Sequence, residues 1–231
     1  RRTEPGLSSV AEPPLASSHP DPSQASPPTP TDGLDRRRYV HLLTHLFHSH
    51  ASGRLKLEFG GGLTLYLLNG YPVWAEAGQP SDLVDWLVAE GVLDDADAAP
   101  LRLHTRAPEL RSALLGSGLL NAEAMPPLME AWVAWQVRRG LQATGGYEFE
   151  AGDDFAGMIP VYEVNPLREL IEALGDVDVA ELLAELETAT AGRPLGRTRT
   201  FNRLFGYVAS TPAVRELGER FLRPRTVAEI R

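Results

Sequence analysis

Cysteine is absent from these 231 residues, which removes disulfides, thiolate metal sites and a cysteine nucleophile together. No stretch approaches the roughly eighteen apolar residues that a membrane span needs, and no secretory leader pattern is present. A cytoplasmic location with no membrane contact is the expectation. Lysine is nearly missing: of 22 basic residues only Lys56 is one, a bias that points to a GC-rich coding sequence. No serine stands in a Gly-x-Ser-x-Gly setting, so a nucleophile elbow is lacking. Gly60-Gly61-Gly62 is not followed by Lys-Ser/Thr and lies between two strand patterns, which makes it a hairpin rather than a phosphate cradle. Asp94, Asp95 and Asp97 lack the glycine and distal glutamate of a calcium loop and read as helix capping and dipole neutralisation. Asp153-Asp154, in a Gly-flanked turn, reads as a solvated loop. With no acid–base pair, nucleophile or metal set standing out, a protein that is not an enzyme and carries no cofactor is expected.

What is present is unevenly charged. Residues 39–191 carry 8 basic against 23 acidic groups, a net of −15, whereas 192–231 carry 9 against 3, a net of +6. The acidic middle repels phosphate backbones, so nucleic acid is not expected to bind the body. The basic tail could take nucleic acid, an acidic partner or the acidic body itself.

Residues 1–34 are rich in Pro, Ser and Ala without apolar periodicity, the composition of a disordered linker. Arg1-Arg2 at the start and Ile230-Arg231 inside a helical pattern at the end are expected of a piece of a longer protein. From Asp35 to about Ala51, Tyr39, Val40, Leu42, Leu43, Leu46 and Phe47 trace one helical face. Strict alternation follows: Leu55, Leu57 and Phe59 on one side, Arg54, Lys56 and Glu58 on the other. That is a half-buried strand. Leu63–Leu68 and Tyr71–Ala77 make two more, joined by Asn69-Gly70, the strongest short hairpin signal. Three antiparallel strands with one apolar face need helices to cover them.

A repeat of 27 residues comes next. Leu87 to Asp94 is echoed by Leu114 to Asn121, and Pro100-Leu101 by Pro127-Leu128. Each copy is a helix, a Gly stop, two apolar residues and an N-capping Asp or Asn. A longer helix follows, Leu128 to Arg139, with Arg138 and Arg139 in its last turn. Tyr147-Glu148-Phe149-Glu150 is a short strand. Helices are expected from Asn165-Pro166 through Leu174 and over roughly 177–187. Ala189 to Thr200 reads as a second linker, and 201–231 as short helical pieces broken by Pro212 and Pro224. The expected architecture is α+β, an antiparallel meander packed with helices. Its domain spans 35–187 with the helical repeat inserted at 82–139, between the linker of 1–34 and the basic segment of 188–231.

Gly53-Arg54-Leu55-Lys56-Leu57, the hairpin Leu65 to Glu76 around Asn69-Gly70, the strand at Tyr147 and the run Val164 to Ile171 occur in the order that resembles the DUF4388 domain, also described as the PATAN type. The resemblance covers roughly 36–175. It implies a non-catalytic accessory module of bacterial regulatory proteins, joined by flexible linkers to further signalling domains of the same parent chain. Arg225 to Ile230 looks like the opening of a winged-helix-like segment that often follows such a domain. The 82–139 repeat is similar, more weakly, to the N-terminal helical repeats of type II secretion and pilus ATPases, some of which bind cyclic di-GMP. Asp82-Leu83-Val84 and Glu109-Leu110-Arg111 stand where that pattern has Arg-Leu-Gly, so the arginine and glycine that would meet the nucleotide are missing.

Two surfaces qualify as candidate docking sites. If the alternation holds, Tyr66, Leu68 and Trp74 fall on the sheet face opposite Leu65, Leu67 and Val73, and an exposed aromatic pair there would mark an interface; helices over both faces would instead make both core. His41, His45 and His48, at i, i+4 and i+7, share one face of the first helix. Two histidines four apart can chelate zinc, but a polar helix side facing solvent or a partner accounts for them better. Trp132 and Trp135 read as core. The functional expectation is a protein–protein interaction or scaffolding module binding a protein partner. A cyclic-dinucleotide sensor and a regulator touching nucleic acid through the basic tail are its rivals.

Overall fold

In the computed structural model the described residues are 33–79, 81–104, 107–175, 179–196 and 222–230, with a few positions between the last two ranges. The expected linker of 1–34 falls, except for its last two residues, outside them. Those two correct the boundary: Leu34 is buried, and its amide donates to the Gly145 carbonyl at 2.6 Å.

The protein is α+β. Helix α1 (Arg36–His48) starts at Asp35, whose carboxylate caps the Arg38 amide, and buries Tyr39, Leu42, Leu43, Leu46 and Phe47 at helical spacing. Strands β1 (Gly53–Leu57), β2 (Leu63–Leu68) and β3 (Tyr71–Ala77) form the meander, and β4 (Tyr147–Ala151) adds to the far side of β1. The order is β3-β2-β1-β4, antiparallel throughout. At the β2–β3 turn Asn69 and Gly70 both have positive φ, 52° and 86°. A side chain at Gly70 would also meet Phe47 Cα at 2.7 Å. The turn is tied to the end of α1 by Gly70 N–H to the Ala51 carbonyl and Asn69 N–H to Ser52 Oγ.

Between β3 and β4 the chain makes α2 (Ser81–Ala89), α3 (Asp95–Leu101), α4 (Ala107–Gly116) and α5 (Met125–Arg139). The 27-residue repeat is geometric as well as textual. Leu93 N–H returns to the Leu87 carbonyl and Leu120 N–H to that of Leu114. Asp94 caps the Asp97 amide and Asn121 that of Ala124. Leu93 and Leu120 are both buried.

Helix α5 starts at Met125, three residues before the expected Leu128, because Pro126 and Pro127 suit a first turn that needs no amide donors. Its Trp132 packs beside Trp86 and Trp135, and the Trp132 indole donates to the Ala75 carbonyl at 3.4 Å. Where α5 ends, Gly140 approaches Tyr39 so closely that a Cβ would overlap the ring. The wholly buried Tyr39 hydroxyl donates to the Val137 carbonyl at 2.8 Å, and burial pushes its ionisation far above the ordinary range. One hydrophobic core runs from Leu34 through the sheet and helices α2–α5 to Leu170.

Helix α6 (Pro166–Gly175), capped by Asn165, buries Glu169 against Arg138 and Arg168. Arg138 therefore links α5 to α6 besides complementing its own helix terminus. Helix α7 (Val179–Thr190) follows. The expected linker after Ala189 is corrected in part. Helix runs on to Thr190, and Leu195 exchanges two backbone hydrogen bonds with Arg225. The capping box Thr226/Glu229 then opens the helical turn Val227–Ile230. Pro212 and its surroundings lie outside the described residues.

Candidate functional site

The sheet has two faces of different character. Leu55, Leu57, Leu63, Leu65 and Leu67 fill the inner face as the alternation of β1 and β2 dictates. On β3 the alternation fails. Tyr66 pairs with Trp74 but Leu67 pairs with Pro72, so Val73 is the extra residue of a bulge. Pro72, Val73, Trp74 and Ala75 are consequently all buried.

The outer face holds the expected aromatic pair, and a strap of chain, residues 152–164, crosses over it. Gly152 N–H leaves β4 bonded to the Ser52 carbonyl. Phe155, 2% exposed, stands edge-on to Tyr66 with ring centroids 5.1 Å apart, and the Arg54 guanidinium lies over both rings. Tyr162 stacks on Trp74 at 6.1 Å. The strap ends on the free edge of β3, where Tyr162 and Val164 donate their amides to Val73 and Pro72. Trp74, only 7% exposed, is therefore not an exposed aromatic: the strap, rather than a helix, makes this face core. Tyr66 is half-buried. Its hydroxyl donates to Glu76 at 2.9 Å, and burial, reinforced by that carboxylate, pushes its ionisation up to about 12. Leu68 is half-buried at the β2–β3 turn.

Asp154, expected in a solvated loop, is exposed but engaged: it bonds Arg54 at 2.9 Å, which holds its carboxyl below the usual carboxylate range. Beyond the strap the outer face is charged, with Lys56 set between Glu148 and Glu150. Such solvated pairs contribute little to stability.

His41 lies elsewhere, on the outer side of α1. It is exposed, and His45 and His48 are half-buried below it. Among the described residues no group of three or more His, Asp or Glu could hold a metal ion. The α1 surface around His41 instead forms one wall of a groove of about 400 Å³ whose opposite wall is α7. The floor is apolar: Val40 and Thr44 from α1, Leu174 from the end of α6, Leu186 and Ala189 from α7. Arg36, Arg37 and His41 form the basic lip, and Arg36 reaches across to Glu185 at 3.4 Å. Sequence reasoning placed Val40 in the core-facing stripe, yet it sits on that stripe's flank, only partly buried. The available signal was its setting, an apolar residue with Arg36 and Arg37 one turn before and Thr44 one turn after.

The repeat positions named above are structural. Leu83 and Leu110 are buried, Asp82 pairs with Arg139 at 3.6 Å, and Glu109 is exposed. Trp132 is buried in the core as expected, whereas Trp135 is only half-buried, packed against the core's edge with Arg139 over its ring. Among the described residues no helix is long and apolar enough to cross a membrane.

Comparison with protein-family models, with curated proteins and with solved structures finds no match to this chain.

Proposed function

We propose that the chain is a non-enzymatic protein–protein interaction module of a bacterial signalling or regulatory protein. The observation that carries this reading is the groove between α1 and α7, an open apolar floor beneath a basic lip on an otherwise acidic body. The ordered motifs that resemble DUF4388 favour the same reading. The strap shifts the docking surface away from Tyr66 and Trp74, which already have intramolecular partners.

The test is capture of partners by the full chain in extracts of its own cells, with bound proteins and extracted nucleotides both identified by mass spectrometry. A reproducible protein partner supports the module. A bound cyclic dinucleotide without a protein partner replaces it with the sensor reading. The basic segment favours a second reading, contact with nucleic acid: Arg193, Arg223 and Arg225 are exposed. Duplex binding that weakens steeply with added salt supports that contact, and its absence at low salt removes it.

A further inference from the structure

We propose that the groove between α1 and α7 receives an amphipathic helix from the protein partner, with an aliphatic face for the floor and an acidic edge turned toward α1. This rests on the interaction-module reading and names the class of partner. Three observations carry it.

The first is shape. Val40 and Thr44 are four apart on α1, and Leu186 and Ala189 three apart on α7. Each wall is therefore a helical ridge, and the space between two such ridges is the complement of a third. The second is length. The lining runs from Arg36 to Thr44 on α1 and from Glu185 to Ala189 on α7, so at ~1.5 Å per residue the walls run about 12 Å and about 6 Å, room for roughly two turns of an incoming helix. The third is charge. Arg37 and His41 stand exposed on the α1 lip of a body whose residues 39–191 carry a net −15. Among the described residues that line the groove, the Arg37 guanidinium on this wall is the charge placed to meet a carboxylate of the incoming helix. On the other wall Glu185 is already engaged by Arg36 and disfavours a second acid. An acidic edge toward α1 and a neutral or basic edge toward α7 is the arrangement these groups select.

The probes are two fluorescein-labelled, end-capped helical peptides with identical Leu/Ala faces. One carries Glu along one edge, the other Lys at the same positions, and each is titrated against the full chain by anisotropy. The expected result is saturable binding of the Glu peptide, about tenfold or more tighter than that of the Lys peptide. Val40→Glu should abolish it while the circular dichroism spectrum and melting curve hold. Arg37→Glu should reverse the preference between the peptides. Because the chain has no cysteine, a photo-crosslinker on Thr44→Cys is unique and should mark the Glu peptide.

Equal binding of both peptides, no binding of either, or Glu-peptide binding that survives Val40→Glu overturns the proposal. So does concentration-dependent self-association that Val40→Glu removes, which would make a second copy the occupant. A captured cellular partner retained by Val40→Glu sinks the groove and leaves the module. Peptide selectivity without any captured partner does the reverse.

Discussion

The two faces of the sheet are closed by different means. The inner face is closed by area: five leucines of β1 and β2 share one continuous core with α1 and helices α2–α5. Burial of this kind is worth about 25 cal/mol per Å² of apolar surface and has no preferred direction, so many residues share it. The outer face is closed by a strap of thirteen residues, 152–164, held by two aromatic contacts, the Arg54 guanidinium against Phe155 and Asp154, and three backbone hydrogen bonds from Gly152, Tyr162 and Val164. Fewer contacts hold it, so each is expected to matter most locally. The lesson is that a covered face is not necessarily a committed one: we expect the inner face to open only with unfolding of the chain and the outer one with a local lift of the strap.

The contrast is most severely tested at Leu65, which is wholly buried on the inner face. Leu65→Ala should cost about 2–5 kcal/mol of global stability, read as one cooperative shift of the urea midpoint by every probe. Phe155→Ala should cost less, on the order of 1–3 kcal/mol, because the strap can relax into the space. Its signature is local: hydrogen exchange should accelerate across 152–164 while amides of β1 and β2 keep their protection. If Phe155→Ala lowers protection everywhere alike, the two faces are one cooperative unit and the contrast fails.

The interior side is not uniformly apolar, which allows a test of opposite sign. Gln136 on α5 is 0% exposed, and neither amide atom has a partner among the described residues. Gln136→Leu removes two unsatisfied groups and should stabilise the protein by roughly 1 kcal/mol in thermal unfolding. The smallest effect concerns Asp154. Arg54 holds its folded pKa below the ordinary value, so its contribution is complete above pH ~4 and fades as pH falls through the depressed value. Protection in the strap, taken relative to the intrinsic exchange rate at each pH, should fall on acidification below that range, and Asp154→Asn should remove this pH dependence.

Much of the architecture was legible because it obeys short periods. The alternation of β1 and β2, the Asn69-Gly70 turn, the stripe of α1 and the 27-residue repeat each follow from spacing and turn chemistry alone. The strap was not legible, since Phe155 and Tyr162 are isolated aromatics among Gly, Asp and Pro, a composition with no period. The bulge at Val73 was hidden for a related reason. A single added residue reverses which side chains face inward, and nothing local announces it. His41 could be marked as a surface residue, but the groove beside it depends on how α7 lies against α1. That is a tertiary relation no window of sequence contains.

Lys56 occupies the middle of β1, hydrogen-bonded into ladders with β2 on one side and β4 on the other, and it is the chain's only lysine. A lysine-specific endoprotease therefore has a single bond to cut, and that bond is in the strand flanked on both sides. Lifting the strap leaves both ladders in place and the bond protected; separating the sheet exposes it. Cleavage at Lys56 thus converts the opening of the central sheet into two fragments on a gel; its rate follows the population of the opened form, and at saturating protease the rate of opening itself.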